Sequence, residues 1–435
     1  MVNDPTDRLD GIPGASVSAF ATALDGEVLA SRDPERALAP ASNTKLVTTA
    51  LALAVLGPDH TFETTATGRG SVRDGHLRGD LVLSGSGAPD LARSDLAELA
   101  RRVAERLDVV EGDLVLDGRR FTGRQVGPGR TVGDQRHAYG ARTSALALGG
   151  NVVEVRATDA TGAGDFEIRA APNSEALDIR TDLATGDGEL RVYTDTDTDA
   201  VRVEGCLPAG AERTERAPVP DPERHCGAVF RDALDEAGVR VTGDLRTAET
   251  APRSDGPAVS AAVSADPVSE LLPRMNRPSD NFLADQLARA VAAERGDGSW
   301  ADWERVATDY LEATRAGPCR IRDGSGLSRY NLLTARGVVE LLERAAREPW
   351  AEQFFESLPE PGVGTLASRL DDVSGLRAKT GTLTGASALS GIIRGDGSPP
   401  VVFSVLFGGL TGEAAPARER QDEFVRALAR ERRSG

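Results

Sequence analysis

The sequence contains very little lysine. Of its 51 basic residues only two are lysines, Lys45 and Lys379, and the rest are arginines. Acidic residues number 68, so the formal net charge at pH 7 is −17. Because an excess of carboxylates repels phosphate backbones and anionic lipid, nucleic acid and membrane surfaces are poor partners. An acidic, lysine-poor composition is typical of proteins adapted to high salt and of proteins encoded by GC-rich genomes, and the two explanations are compatible.

Cysteine is scarce as well, and histidine follows no metal-binding pattern. Three cysteines, Cys206, Cys226 and Cys319, are too few and too odd in number for a disulfide framework. Buried free thiols are therefore favoured over a Cys206–Cys226 disulfide. The four histidines are scattered: His60, His76, His137 and His225. Since neither an H-E-x-x-H nor a C-x-x-C pattern occurs, we expect no metal site and no cofactor.

Long apolar runs are also missing. No stretch approaches 18 consecutive apolar residues, so the sequence predicts no membrane-spanning helix. The first residues, MVNDPTDRLDGIPGAS, have neither a basic n-region nor an apolar h-region. As written, the sequence therefore predicts a cytoplasmic location. With 435 residues, 40% of them apolar, the chain can build a real core and two to four domains.

The two ends of the chain predict a layered α+β core. Small and apolar runs flank Leu24-Asp25-Gly26, which predicts a hairpin over residues 15–31. Apolar residues at helical spacing predict a helix from about Ser42 to Leu56. Further helices are predicted after residue 256, then three strands within 376–409 and a final helix at about Pro416–Arg432. These ends thus supply five antiparallel strands and the helices that cover them.

The middle of the chain has a different sequence pattern. From 67 to 255, strand-like pieces alternate with turns, and one helix is predicted around Asp95–Arg106. The segment 251–258, APRSDGPA, is typical of a linker. We therefore expect a discontinuous catalytic domain, 1–66 and 256–435, interrupted by an inserted accessory region that forms two small subdomains.

Three short motifs stand in order along the chain: Ser42-Asn43-Thr44-Lys45, Ser279-Asp280-Asn281 and Lys379-Thr380-Gly381. This set of S-x-x-K, S-D-N and K-T-G occurs in class A β-lactamases and penicillin-binding proteins. Each motif alone arises often by chance, and S-x-x-K is also an ordinary helix start. All three together, in this order and in these predicted elements, point to nucleophilic catalysis by serine.

The first motif suits that chemistry. Ser42 begins a predicted helix, where backbone N–H groups and the helix dipole favour a developing anion. Lys45 lies three residues on, on the same helix face, so its amine can reach the Ser42 hydroxyl. Serine is a poor nucleophile until a base takes its proton. A lysine serves as that base only if burial and a second cation lower its pKa, and Lys379 could supply that cation.

The other two motifs can complete a cleft. Ser279 and Asn281 lie two apart on a turn before a helix, so both can point into one cleft. Lys379 and Thr380 lie on a predicted strand, where an amine and a hydroxyl can bind a carboxylate. Gly381 on that strand would let a substrate backbone approach closely. Both lysines of the chain thus fall where an amine that can lose its proton is useful.

Four blocks carry a family resemblance: PASNTKLVTTALAL, MNRPSDNFLAD, DGSGLSRYNLLT and AKTGTLTGASALSGII. With these motifs, nearly the whole chain resembles the penicillin-binding-protein-4 type of D-alanyl-D-alanine carboxypeptidase/endopeptidase. The long interval between Lys45 and Ser279 is similar to that family, in which extra domains are inserted there. The resemblance implies a β-lactamase/transpeptidase-like fold: an antiparallel five-stranded sheet flanked by helices, with a large mixed α/β insert.

The resemblance also implies roles for site residues. Ser42 resembles the acylated nucleophile and Lys45 the base that activates it. Ser279, with Lys379 beside it, resembles the group that relays a proton to the leaving amine. Asn281 resembles the side chain that holds the acyl-side amide of the substrate.

Substrate binding follows from the same resemblance. Thr380 and Lys379 resemble the clamp on the terminal carboxylate, and the N–H groups of Ser42 and Thr382 resemble the oxyanion hole, next to Gly381. The implied partners are peptides that end in a D-amino acid, with β-lactams as inhibitors. Members of the family are exported to the cell wall.

Several alternative functions on the same fold remain open. A class A β-lactamase needs a separate glutamate, typically in an E-x-x-L-N loop, and the sequence has no such motif. An esterase or a D-aminopeptidase would share the catalytic residues and differ in the pocket. A non-catalytic penicillin-binding-like protein would keep the fold, but the intact motifs argue against it.

Overall fold

The computed structural model describes five stretches of the chain: residues 4–160, 164–249, 259–314, 317–395 and 397–431. The predicted linker at 251–258 therefore lies outside the described residues, as does Asp396 in the predicted turn between the last two strands. Within the described residues, no helix is both long enough and apolar enough to cross a bilayer.

The helices follow the predicted periodicity. In the described residues they are α1 (Thr44–Leu51), α2 (Arg93–Ala104), α3 (Val132–Gln135), α4 (Pro222–Glu236), α5 (Val268–Asn276), α6 (Asn281–Arg295), α7 (Trp300–Ala313), α8 (Ala335–Ala345), α9 (Ala351–Glu356) and α10 (Ala415–Glu431). The predicted helix Ser42–Leu56 has three parts, because a 3₁₀ turn over Ala41–Asn43 precedes α1 and a π-helical segment over Ala52–Leu56 follows it.

The strands, also in chain order, divide between the ends and the middle of the chain. They are β1 (Ser16–Ala23), β2 (Val28–Arg32), β3 (Glu63–Arg73), β4 (His76–Gly85), β5 (Val109–Val110), β6 (Leu114–Asp117), β7 (Val152–Asp159), β8 (Phe166–Ala171), β9 (Ile179–Thr185), β10 (Leu190–Asp195), β11 (Ala200–Leu207), β12 (Glu212–Pro218), β13 (Arg240–Val241), β14 (Leu245–Thr247), β15 (Val259–Ser264), β16 (Leu376–Leu383), β17 (Ala386–Ile393) and β18 (Val401–Gly408).

The chain forms two compact units. The catalytic unit consists of residues 1–60, 127–129 and 267–435, and the inserted unit consists of residues 61–126 and 130–266. The sequence places the boundaries instead at 66/67 and 255/256. The first of these falls inside β3, which pairs along its length with β4 and β15. Because a strand stays with its hydrogen-bonded partners, both β3 and β15 lie in the inserted unit.

The catalytic unit is built on one five-stranded sheet, with strand order β16-β17-β18-β1-β2. Every neighbouring pair is antiparallel, as the sequence predicts. Helices α8 and α10 pack on the sheet. Phe403 and Phe407 of β18 share an apolar core with Phe424 of α10. Strands β17 and β18 are buried at every position, since helices cover the sheet. Strand β16 forms one edge of the sheet.

The inserted unit contains three sheets in its described residues. A seven-stranded sheet runs β13-β5-β4-β3-β15, with β6 beside β4 and β14 beside β6. Two three-stranded sheets, β10-β11-β9 and β12-β7-β8, share a core that includes Val153 and Val203. On α4, His225 and Cys226 are fully buried. All three cysteines are free thiols, but only Cys226 is fully buried.

Candidate active site

The catalytic unit contains a cleft of about 460 Å³ beside the edge strand β16. Six of the eight predicted site residues line it: Ser42, Ser279, Asn281, Thr380, Gly381 and Thr382. The other two, Lys45 and Lys379, are fully buried and reach toward the same serines. The structure therefore brings all eight residues together, although the three motifs are far apart in the sequence.

Ser42 and Lys45 form the hydrogen-bonded pair that the S-x-x-K spacing predicts. Lys45 Nζ lies 3.1 Å from Ser42 Oγ, 2.8 Å from Asn281 Oδ1 and 2.7 Å from the Ser325 carbonyl oxygen. The last two atoms can only accept a hydrogen bond. A neutral amine has two N–H donors and one lone pair, so bonds to these two oxygens leave the lone pair for the Ser42 hydroxyl. The arrangement can thus take the proton of Ser42.

Lys379 reaches the middle motif. Its Nζ donates to Ser279 Oγ at 2.9 Å and to the Thr380 carbonyl oxygen at 3.0 Å. Burial, and then the positive charge of Lys45, lower the pKa of Lys379 well below the usual value for lysine. The two lysines therefore act on each other electrostatically, and Lys379 can lose its proton far more readily than an exposed lysine.

The S-D-N motif combines a strained turn with a helix cap. Ser279 has φ of +64°, a left-handed conformation that is unfavourable for a residue with a side chain. Asp280 caps α6, because its Oδ1 accepts from the Leu283 N–H at 2.8 Å. Asn281 is then the first residue of α6 and faces Lys45. The aspartate thus fixes the helix start that aims its two neighbours at the cleft.

Gly381 is required for a reason that the sequence did not suggest. A Cβ atom at this position would lie 2.8 Å from the Pro40 carbonyl oxygen and 3.0 Å from the Ser42 backbone nitrogen. The backbone that approaches Gly381 so closely is therefore the turn that carries the nucleophile. The absence of a side chain brings β16 and Ser42 together.

The backbone N–H groups of Ser42 and Thr382 are the two candidate donors to an oxyanion. The Ala378 N–H donates to the Pro359 carbonyl oxygen, away from β17. Because alternate N–H groups of a strand point to the same side, the Thr382 N–H also points to the free edge of β16. The Ser42 nitrogen lies against Gly381, next in sequence to Thr382. These two N–H groups are thus placed on the same side of β16, where an oxyanion could be stabilised.

Sequence reasoning missed two buried carboxylates behind the site. Asp285 Oδ1 accepts from the N–H groups of Gly324 and Ser325, each at 2.9 Å. Asp323 accepts from the Gly326 N–H at 2.9 Å and the Ser328 N–H at 2.7 Å. These bonds fix the loop 323–328, whose Ser325 carbonyl contacts Lys45.

One signal could have revealed Asp285. It lies four residues after Asn281, on the same face of a helix whose first residue the S-D-N motif already assigns to the cleft. A lone carboxylate on such a face needs partners. This loop belongs to the block DGSGLSRYNLLT, which carries part of the family resemblance, and its Gly326 lines the cleft.

The far wall of the cleft was also missed. Thr380 Oγ1 donates to Thr365 Oγ1 at 2.7 Å, which turns the Thr380 hydroxyl toward the segment before β16. Arg369 forms a largely buried ion pair with Asp422 of α10, with Nη2 and Oδ1 2.6 Å apart. Arg418 of α10 donates to Thr382 Oγ1 at 3.2 Å. No local sequence pattern marks these residues, because each meets the cleft through long-range packing.

Among the described residues, no group of three or more His, Cys, Asp or Glu side chains is placed to hold a metal ion. What the site offers is an activated serine, two buried amines and backbone N–H donors beside the edge of an antiparallel sheet. This combination defines a serine hydrolase of the S-x-x-K class.

Comparison with known proteins places the chain within that class. A model of the D-Ala-D-Ala carboxypeptidase 3 (S13) family matches residues 6–431. A D-alanyl-D-alanine carboxypeptidase from Actinomadura sp. is 35% identical, over 95% of this chain and 80% of that protein. The chain therefore belongs to the D-Ala-D-Ala carboxypeptidase 3 (S13) family, and it is a serine-type hydrolase.

A second relative and its solved structure agree. The D-alanyl-D-alanine carboxypeptidase DacB of Haemophilus influenzae is 25% identical, over 99% of this chain and 93% of that protein. The crystal structure of penicillin-binding protein 4 from the same organism superposes with a TM-score of 0.86 at 24% identity, covering 99% of this chain and all of that one. The transpeptidase-like fold predicted from the sequence is confirmed.

Proposed function

We propose that this serine-type D-Ala-D-Ala carboxypeptidase acts through an acyl-enzyme on Ser42, formed from peptides that end in a D-amino acid. The observation that carries the proposal is the 3.1 Å contact between Ser42 Oγ and Lys45 Nζ. The two carbonyl acceptors of Lys45 support it, because they orient the amine and leave its lone pair for the serine.

Acylation follows from this geometry. Ser42 Oγ attacks the carbonyl carbon of the last peptide bond while its proton passes to Lys45 Nζ. The carbonyl oxygen becomes an oxyanion, which the N–H groups of Ser42 and Thr382 stabilise. Asn281, held by Lys45 through its Oδ1, positions the acyl-side amide of the substrate.

The leaving amine then needs a proton. Ser279 Oγ delivers it and is resupplied by Lys379 Nζ, which lies 2.9 Å away. The C–N bond breaks, the terminal D-residue departs as a neutral amine, and Ser42 keeps the acyl group. The lowered pKa of Lys379 suits this relay, because it makes the amine a readier proton donor than an exposed lysine.

Hydrolysis completes the cycle. Lys45 first releases to solvent the proton it took from Ser42, and Lys379 regains one, so that both amines return to their starting state. Water then attacks the ester carbonyl while Lys45 Nζ takes one of its protons. Lys45 returns that proton to Ser42 Oγ as the ester C–O bond breaks and the carboxylic acid leaves. No E-x-x-L-N glutamate is available to accelerate this step. A β-lactam would acylate Ser42 in the same way, but its ring-opened acyl group would leave slowly. Haemophilus influenzae penicillin-binding protein 4 has been solved in complex with a β-lactam, which supports β-lactam binding by this chain.

Two substrates test the proposal. The wild-type protein is incubated with an acyl-D-Ala-D-Ala peptide and, separately, with nitrocefin, and released D-alanine and opened nitrocefin are measured over time. We expect many turnovers of the peptide and about one equivalent of opened nitrocefin per enzyme. Fast, continuous nitrocefin turnover without release of D-alanine would instead identify a β-lactamase.

A further inference from the structure

Arg418 lies where α10 meets the substrate cleft. It is in the first turns of α10, is exposed, and lines the cleft together with Thr380 and Thr382. Its Nη2 atom donates to Thr382 Oγ1 at 3.2 Å. Thr380 and Thr382 lie two residues apart on β16, so their side chains share one face of the strand.

The other cations of the cleft are already occupied. Lys45 and Lys379 are buried and hydrogen-bonded to the catalytic serines. Arg369 is paired with Asp422. Arg418 differs, because among the residues that the structure describes no carboxylate lies within ion-pair distance of its guanidinium. In a chain with 68 acidic residues, an arginine at a cleft with only a hydroxyl as side-chain partner is available for a ligand anion.

Arg418 also holds its proton more firmly than Lys379 does. Burial and the positive charge of Lys45 lower the pKa of Lys379, so this amine loses its proton more readily than an exposed lysine. A guanidinium stays protonated and presents a planar fork of donors that matches a carboxylate. Arg418 can therefore offer the free carboxylate of the substrate a cation that takes no part in proton transfer.

We propose that Arg418, together with the Thr380 and Thr382 hydroxyls, binds the free carboxylate of the residue that leaves, and so selects peptides that end in a free acid. Arg418 is thus a specificity-determining residue, and Lys379 is released for proton transfer. This inference rests on the proposed function, because it concerns the leaving side of the same bond.

The test compares two thioesters that differ only in that carboxylate. Acyl-D-Ala-thioglycolic acid and its amide are both cleaved to a free thiol, and kcat/KM is measured for each. We expect Arg418→Ala to lower kcat/KM for the acid by about 10- to 100-fold, the range for a charge-assisted hydrogen bond, and to change the amide less than threefold. Arg418→Lys should recover part of the loss.

A neighbouring arginine provides the matched control. Arg420 lies two residues on, its Nη1 is 2.8 Å from Glu423 Oε2, and it does not line the cleft. Arg420→Ala should leave the ratio of acid to amide unchanged. An unchanged ratio in Arg418→Ala, an equal loss for both thioesters, or an equal fall in Arg420→Ala would overturn the inference. Failure of the wild-type protein to cleave either thioester would overturn the proposed function itself, and the inference with it.

Discussion

The buried ionisable groups of the active site differ from the buried His225 of the inserted unit in how many hydrogen-bond partners they have. In the catalytic unit, buried Lys45, Lys379, Asp285 and Asp323 each have several hydrogen-bond partners, and these partners converge on one cleft. In the inserted unit, buried His225 has one side-chain partner, Ser174 Oγ at 2.8 Å, and its Nε2 is buried without one among the described residues.

The pKa values reflect this difference. Burial alone lowers the pKa of His225 to about 4, and burial with the Glu223 charge raises that of Cys226 to about 12. Both groups are therefore neutral at pH 7. The buried amines of the catalytic unit, by contrast, are hydrogen-bonded to the two catalytic serines, so they are placed to move protons during catalysis.

The largest effect should come from replacing the base. Lys45→Arg keeps a cation but not a proton acceptor, because guanidinium does not lose its proton in proteins. We expect the rate of acylation by a fluorescent penicillin to fall by at least about 10³-fold. The reverse exchange in the inserted unit, Arg246→Lys, should leave that rate unchanged. A wild-type rate in Lys45→Arg would contradict the role of Lys45.

The next effect concerns the carboxylates that support the site. Asp285→Asn weakens the acceptor of two backbone N–H groups in the loop that contacts Lys45. We expect a 10- to 100-fold slower acylation and a loss of about 1–3 kcal/mol in the free energy of unfolding. The matched variant in the inserted unit is Asp113→Asn, since Asp113 Oδ1 accepts from the Asp244 N–H at 2.9 Å. It should leave acylation unchanged; equal slowing in both variants would refute a local role.

Lowering the pH should test the buried His225 of the inserted unit, because its protonation lowers the free energy of unfolding. The pKa of His225 is about 4 in the folded protein and about 6.5 in the unfolded chain, so the unfolded state binds more protons below pH 6.5. Stability is therefore fully present above pH 6.5 and declines as the pH falls toward 4, by about 3 kcal/mol from this group.

The variant His225→Gln should flatten that decline. Urea unfolding at several pH values between 7 and 4 measures it, with the exposed His76→Gln as control. We expect the wild type and His76→Gln to lose stability in parallel and His225→Gln to lose less. Parallel curves for all three proteins would show that His225 does not titrate as its burial requires.

The smallest effect concerns the orientation of Thr380. Thr365→Val removes the oxygen that accepts from the Thr380 hydroxyl. We expect acylation to slow by about 3- to 10-fold, the effect of one neutral hydrogen bond. Thr365→Ser keeps the hydroxyl and should stay near the wild-type rate. Equal rates in the two variants would show that this contact does not position Thr380.

Local patterns predicted elements well and long-range contacts poorly. Strand β16 begins at Leu376, where the predicted region of three strands begins, and α6 follows the turn at Ser279 as predicted, because Asp280 caps it. The domain boundaries were placed within β3 and before β15, because the pairing that joins those strands spans almost 200 residues and leaves no local trace.

The site shows the same division. The eight site residues could be predicted because each of the three motifs carries its chemistry in a short, recognisable spacing. Asp285, Thr365 and Arg418 were not identified as site residues, since each acts through a partner from another part of the chain. The two lysines were the strongest clue, because an arginine-rich chain retains lysine only where the structure buries an amine.

The central claim is that Ser42 carries the acyl group. The most direct measurement is the intact mass of the protein after incubation with benzylpenicillin, followed by peptide mapping of the adduct. We predict one added penicillin on the peptide that contains Ser42, and none in the Ser42→Ala variant when it is folded. An adduct on another residue, or an equal adduct in Ser42→Ala, would contradict the account.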